Sequence, residues 1–148
     1  MTGREFMVEA YGCDAERLRS VAALQALFSA IIRELALNPV GDTLWHTFPE
    51  PGGVTGLCLL AESHLTVHTF PEHHSACLNL FCCTPRSAWD WSARLAELRG
   101  AQHVVVRSMA RPYAVPPDRT VASTYDADGA AAFDAPFDAP FDASTGES

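Results

Sequence analysis

The order of periodic segments constrains the fold of this chain more than any other feature of its sequence. Alternating apolar residues predict a first strand around 6–10, and Asp14 then offers the N-cap of a helix. Further strands, a second helix opened by Pro85 and a last strand over 102–106 follow. Because the links are short, neighbouring strands are expected to pair antiparallel. The pattern predicts an α/β fold, a two-layer sandwich whose mainly antiparallel sheet carries two helices on one face.

The middle of the chain supplies the inner strands of this predicted sheet. Runs at 57–60 and 65–69 and an alternating stretch at 76–83 are typical of strands. His64, Thr66 and His68 are expected to share one face, since side chains alternate along an extended chain. The first helix is expected to run unbroken to about residue 35, because its apolar residues recur at helical spacing.

Periodicity stops near residue 117, which divides the chain in two. Residues 1–117 are predicted to form one domain, and 118–148 an acidic tail. The tail repeats Phe-Asp-Ala-Pro over 133–143. Proline at every fourth position prevents a helix and the acids keep the segment solvated, so disorder is expected there.

Charge and hydropathy exclude several partners. The net charge of −8 comes mostly from the tail, and the rest of the chain has no basic stripe, so nucleic acid is not expected as a partner. No apolar run reaches the roughly 18 residues of a membrane span, and the N-terminus lacks a signal pattern. We expect a cytoplasmic protein that binds no membrane. Its five cysteines are expected to be thiols.

Two kinds of site are excluded by what the sequence lacks or separates. All ten basic residues are arginine, so no lysine is present to form the internal aldimine of a pyridoxal phosphate enzyme or to serve a P-loop. Any Schiff-base chemistry on amino acids must therefore take its carbonyl from elsewhere. His64 and His68 would lie about 13 Å apart on a strand, too far to share a zinc ion, so no metal is expected.

The residues that carry chemistry lie in two short stretches. Residues 61–72 read Ala-Glu-Ser-His-Leu-Thr-Val-His-Thr-Phe-Pro-Glu, and 78–83 read Leu-Asn-Leu-Phe-Cys-Cys. They resemble the self-cleaving segment of the short bacterial and archaeal S-adenosylmethionine decarboxylases. That family shows Glu-Ser-His, then His-Thr-Trp-Pro-Glu, then a strand ending in Thr-Cys-Gly. The resemblance extends from about Gly3 to Arg107 and so covers nearly all of the predicted domain.

The resemblance implies a proenzyme that cuts itself between Glu62 and Ser63. This would give a β chain of residues 1–62 and an α chain that starts at 63. Ser63 Oγ would attack the Glu62 carbonyl to form an ester, and His68 would remove the Ser63 α-proton so that the ester is eliminated. The α chain would then begin with a pyruvoyl group, the covalent cofactor. Thr55 matches a family serine whose hydroxyl assists processing.

For the mature enzyme the resemblance implies a Schiff base between the pyruvoyl ketone and the substrate amine, which accepts electrons as carbon dioxide leaves. Cys83 matches the proton donor to the substrate α-carbon. Glu72 matches the acid that binds the ribose hydroxyls, and Phe48 and Tyr11 lie near positions that bring aromatic rings to the adenine and the sulfonium. The family also implies a homodimer whose two sheets pack together, with sites near the interface.

Several positions depart from the family pattern without touching the cleavage or decarboxylation residues. They are Phe70, His73, His74, Asn79 and Thr84. Our leading hypothesis is an S-adenosylmethionine decarboxylase proenzyme that serves spermidine biosynthesis. These departures leave open a pyruvoyl-dependent ornithine or arginine decarboxylase on the same scaffold. Thr55 and the unusual tail leave open a non-cleaving regulatory homologue.

Overall fold

The computed structural model describes residues 2–84 and 86–113. The predicted tail, 118–148, lies outside the described residues. The helices and strands, in chain order, are β1 (Thr2–Tyr11), α1 (Ala15–Arg19), α2 (Val21–Glu34), β2 (Leu44–Thr47), β3 (Val54–Leu60), β4 (Ser63–Phe70), β5 (Ser75–Cys82), α3 (Trp91–Arg99) and β6 (His103–Pro112). A short 3₁₀ turn, Pro71–His73, links β4 to β5.

The six strands form one sheet in the order β2-β3-β4-β5-β1-β6, and every neighbouring pair is antiparallel. At its centre Cys58 pairs with Leu65, Leu65 with Leu80, and Leu80 with Phe6. This register places the apolar residues of four strands on one face. The predicted antiparallel α/β sandwich is confirmed.

The core lies between this apolar face and the helices. Strand residues such as Leu65, Val67 and Leu80 are buried there together with Leu24 and Ile31 of α2. Aromatic contacts join the layers at both ends, because the Phe28 ring lies 5.0 Å from Trp45 and the Phe6 ring 6.2 Å from Trp91. The opposite face of the sheet carries no described helix, and its side chains include His64, Thr66 and His68, as expected from alternation.

The helices differ from the sequence prediction in two places. The first predicted helix is divided at Ser20, which ends α1 and whose hydroxyl caps α2 by accepting the Ala23 N–H at 3.1 Å. The second helix does not begin at Pro85: residues 86–90 are not helical and α3 starts at Trp91. Asp90 is its N-cap and accepts the Ala93 N–H at 3.0 Å. Within the described residues, three helices therefore cover the face for which two were predicted.

The last strand is longer than its apolar run indicates. β6 continues past residue 106 to Pro112 and pairs with the whole length of β1. Its second half has exposed side chains, so backbone pairing rather than burial defines it. No helix among the described residues is long and apolar enough to cross a membrane.

Candidate active site

The peptide bond predicted to be cut lies in the tight turn between β3 and β4. Ser63 begins β4 and pairs with Cys82, and Glu62 immediately precedes it in the turn. The backbone N–H of Cys83 donates to the carbonyl oxygen of Glu62 at 3.1 Å. The carbonyl that would be attacked is therefore already polarised by a backbone donor, as an oxyanion site requires.

The side chain of Glu62 is held by a buried clamp. Its carboxylate accepts the Asn38 backbone N–H at 3.2 Å and is also bonded to the Asn38 amide and the Arg86 guanidinium. Only 7% of Glu62 is exposed. Burial alone would raise the pKa of this carboxyl, but the hydrogen bonds from Asn38 and the charge of Arg86 hold its pKa below the ordinary value. The carboxyl group before the predicted scissile bond is thus held in its ionised form.

A line of hydrogen bonds begins at the Ser63 hydroxyl and crosses three strands. Ser63 Oγ lies 3.0 Å from His64 Nδ1, and His64 Nε2 lies 3.2 Å from Asn79 Oδ1. Asn79 Nδ2 donates to Glu5 Oε1 at 2.9 Å, and Glu5 forms an ion pair with Arg111. The hydrogen bond from Asn79 and the Arg111 charge lower the pKa of Glu5 despite its partial burial. We name Glu62, Ser63, His64 and Cys83 the cleavage cluster.

His68 lies among aromatic rings at the other end of β4. Its Nδ1 lies 2.5 Å from the Thr55 hydroxyl. The Phe48 and Phe70 rings meet the imidazole edge to face, with centroids 5.5 and 4.6 Å away. His46 packs on Phe48 at 4.5 Å. We name His46, Phe48, His68 and Phe70 the ring cluster; its flat, partly exposed faces suit a planar or cationic ligand.

The other two predicted substrate contacts lie at the same end of the sheet as the ring cluster. Glu72 follows β4 in the 3₁₀ turn and is exposed. Tyr11 ends β1 in register with Ser75, which itself pairs with Phe70. Its ring is 44% exposed and stacks on His103 at 6.2 Å. Both side chains are therefore accessible to a ligand bound beside the rings.

The predicted site residues do not form one group within this chain. Ser63 and His68 are five residues apart on the same strand, which separates their Cα atoms by about 16 Å. Cys83 lies with Ser63, whereas Thr55, Phe48 and Glu72 lie towards His68. The structure brings the cleavage cluster together and the ring cluster together, but it leaves a gap of several side-chain lengths between them.

The two adjacent cysteines face different surroundings. Cys82 is buried towards the helices, and burial raises the pKa of its thiol. Cys83 is half-buried beyond the end of β5, and its carbonyl accepts the Tyr113 hydroxyl. Of the two, Cys83 is the accessible one beside Ser63. Among residues 2–84 and 86–113 no group of three or more His, Cys, Asp or Glu side chains could hold a metal ion.

The comparison with known families decides where this arrangement belongs. The family model described as S-adenosylmethionine decarboxylase matches residues 4–112. The chain belongs to the S-adenosylmethionine decarboxylase family. The stretch matched includes every member of both clusters, and the resemblance noted in the sequence is confirmed.

Individual members of the S-adenosylmethionine decarboxylase family match this chain over most of their length and support its membership. The chain is 36% identical to the S-adenosylmethionine decarboxylase proenzyme of Geobacillus kaustophilus over 104 residues, 68% of this chain and 79% of that one. It is 33% identical to the S-adenosylmethionine decarboxylase proenzyme of Prochlorococcus marinus, over 75% of this chain and 88% of that one. The crystal structure of the adenosylmethionine decarboxylase from Aquifex aeolicus has the same fold, with a TM-score of 0.65 at 24% identity over 80% and 97% of the two chains.

Within the S-adenosylmethionine decarboxylase fold, the structure adds partners that the motif did not reveal. Asn38 and Arg86 hold Glu62, although both lie far from it in sequence. His64 rather than His68 contacts the Ser63 hydroxyl. Asn79 and Phe70, first noticed only as departures, lie in direct contact with His64 and His68. Adjacency within Glu-Ser-His was the one available signal for His64.

Proposed function

We propose that this chain is an S-adenosylmethionine decarboxylase proenzyme that cuts itself between Glu62 and Ser63. The product, decarboxylated S-adenosylmethionine, would serve as the aminopropyl donor in spermidine biosynthesis. The observation that carries the proposal is the hydrogen bond from Cys83 N–H to the Glu62 carbonyl oxygen. It supports the proposal because the backbone of Cys83 contacts the carbonyl group that directly precedes Ser63.

The residues present fit a pyruvoyl group formed at position 63. The Ser63 hydroxyl contacts His64 Nδ1 and directly follows the Glu62 carbonyl in the chain, and the clamp on Glu62 keeps that carbonyl in place. Once formed, the group would supply a ketone that binds the substrate amine and withdraws electrons as carbon dioxide leaves. The Cys83 thiol, half-buried beside it, would hold the proton destined for the substrate α-carbon. Glu72, Phe48 and Tyr11 would bind the nucleoside and the sulfonium.

The gap between the clusters supports a homodimer in which each site takes residues from both protomers. His64 of the cleavage cluster and His68 and Phe70 of the ring cluster lie on the free face of the sheet, towards opposite ends of β4. A two-fold axis across the middle of β4 would lay the cleavage cluster of one protomer over the ring cluster of its partner. Ser63 would then meet His68 of the partner subunit, which could remove the Ser63 α-proton that His68 of the same protomer is too distant to reach.

Mass spectrometry and carbon dioxide release test the function together. Purified protein is expected to contain two chains, the second starting with a pyruvoyl group at 63 and reducible by borohydride in the presence of amine. It should release labelled carbon dioxide from carboxyl-labelled S-adenosylmethionine. If the protein divides into two chains but releases carbon dioxide only from ornithine or arginine, that amino acid would replace S-adenosylmethionine as the proposed substrate. A single uncut chain in the wild type would overturn the proposal in favour of a regulatory homologue.

A further inference from the structure

We infer that His64 is the base that takes the proton from the Ser63 hydroxyl when the chain cuts itself, and that Asn79 and Glu5 position it for that step. The inference rests on the proposed function and assigns a residue to its first step. It separates two tasks within self-cleavage: ester formation, served by His64, and elimination, served by His68.

The direction of each hydrogen bond in the line fixes which nitrogen of His64 is free. The Glu5 carboxylate, paired with Arg111, can only accept, so the amide group of Asn79 that donates to it is the NH₂. The Asn79 carbonyl oxygen therefore faces His64 and accepts a hydrogen bond from its Nε2–H. An imidazole with its proton on Nε2 has a bare lone pair on Nδ1. That lone pair lies 3.0 Å from Ser63 Oγ and can accept the hydroxyl proton.

The chemical step balances with no further reactant. The Oγ proton moves to His64 Nδ1 while Oγ forms a bond to the carbonyl carbon of Glu62. The negative charge that develops on the Glu62 oxygen is met by the Cys83 N–H. When the bond from that carbon to the Ser63 nitrogen breaks, the same proton passes from Nδ1 to the nitrogen. The amide has become an ester and a free amine, and His64 is neutral again.

Few charged groups face the His64 side chain. In register it faces Leu59 of β3 and Phe81 of β5, which carry no charge. The Phe81 ring lies 6.1 Å from the imidazole. The charged groups that face it are the Glu5 carboxylate of β1 and, beyond that, Arg111 of β6. Asn79, being neutral, orients the ring without stabilising its protonated form.

The test follows uncut chains made by cell-free synthesis and measures the rate at which they divide. His64→Asn keeps a hydrogen-bonding group near Ser63 but cannot take a proton, so cleavage is expected to slow about 100-fold. His73→Asn, which changes an exposed histidine outside both clusters, is the matched control and should cleave at the wild-type rate. Thermal melting of each chain in a Ser63→Ala background separates misfolding from a lost base.

Hydroxylamine distinguishes the two histidines, because it cuts an ester at 62–63 and leaves serine at the new N-terminus. His68→Ala should accumulate the ester and be cut by hydroxylamine, whereas folded His64→Asn should resist it. Cleavage of His64→Asn within threefold of wild type, or its ready cutting by hydroxylamine, would overturn the inference. A wild-type chain that never divides would instead overturn the proposed function.

A pH profile supplies a readout that a merely structural role would not move. Asn79→Asp places a carboxylate beside His64 Nε2, which favours the protonated ring. The acid limb of the pH profile of the cleavage rate should therefore move to higher pH by about one unit. Asn79→Leu removes the orienting bond and should slow cleavage at every pH. An unchanged limb in Asn79→Asp would count against His64 as the base.

Discussion

The two ends of β4 carry different types of side chain. The cleavage cluster is polar and held in place. The buried Glu62 carboxylate accepts three hydrogen bonds, and Ser63 starts a line of hydrogen bonds that ends in an ion pair. The ring cluster is aromatic and partly open, with Phe48 38% exposed. The first arrangement suits a reaction within the chain, which needs rigid geometry. The second suits a flat, cationic ligand that must enter and leave.

This contrast shows that a chain can contain every residue of the proposed site without bringing them together in one place. Both clusters carry residues for one proposed reaction, yet about 16 Å of strand lies between Ser63 and His68. A protomer alone would hold two half-sites.

Mixing two inactive variants gives the sharpest test of the divided site. Ser63→Ala and His68→Ala chains should each fail to cut themselves to the end. In dimers isolated through two different tags, His68 of the Ser63→Ala chain should serve Ser63 of the other chain. Intact mass should then show cleavage of the His68→Ala chain alone. If both chains stay whole in the mixed dimer, the half-sites do not meet across an interface.

The control for this experiment pairs wild type with a chain carrying both substitutions. Sharing across the interface leaves neither site complete in that dimer, so the wild-type chain should also remain uncut. A wild-type chain that divides normally beside the double variant would mean that each protomer cuts itself.

Much of the fold could be predicted from local pattern, and the exceptions have local causes. Alternation in β1 and β5 and the cap at Asp14 predicted elements correctly because their signals are sequential. The break at Ser20 was missed because the apolar spacing continues through it, although a serine three residues before Ala23 is a recognisable cap. Pro85 was a wrong start because Asp90 supplies the stronger cap.

The site was predictable as a list of residues but not as a geometry. The resemblance to the family predicted Ser63, His68 and Cys83, and their catalytic roles remain predictions. Strand spacing, which excluded a zinc site between His64 and His68, also implies that Ser63 and His68 are too far apart within one chain. The contact of Asn79 with Glu5 depends on how β5 and β1 pair, which no short stretch of sequence contains.

Thr55→Val tests whether the ring cluster takes part in cleavage or only in binding. Valine keeps the shape but removes the hydroxyl that lies 2.5 Å from His68 Nδ1. The loss of this hydrogen bond should slow ester elimination about tenfold. The rate of elimination is measured from chain division and from the amount of ester that hydroxylamine cuts. The ester should accumulate in the valine variant. Thr55→Ser keeps the hydroxyl and should behave like wild type. Equal rates for the valine and serine variants would remove Thr55 from processing.

The buried clamp on Glu62 predicts a pH dependence at the cleavage end. Because the folded pKa of Glu62 is lowered, its stabilising contribution is complete above the unfolded pKa of about 4.3 and is lost as the pH falls through the folded value. In an uncut Ser63→Ala background, Glu62→Gln should therefore reduce the loss of stability below about pH 4, measured by urea unfolding. Glu16→Gln, at an exposed ion pair, is the matched control and should leave the acid loss unchanged.

Phe48→Leu should have the smallest effect and should act on binding alone. The Phe48 ring contacts His68 and offers a partly exposed face, so its replacement removes stacking worth about 1 kcal/mol, or roughly a fivefold rise in KM. Chain division should be unaffected, because the cleavage cluster and the hydrogen bond between Thr55 and His68 are both untouched, and kcat should stay near wild type. Phe48→Tyr keeps the ring and should restore KM. A fall in kcat or in chain division with Phe48→Leu would show that the two ends of β4 are coupled more tightly than their separation suggests.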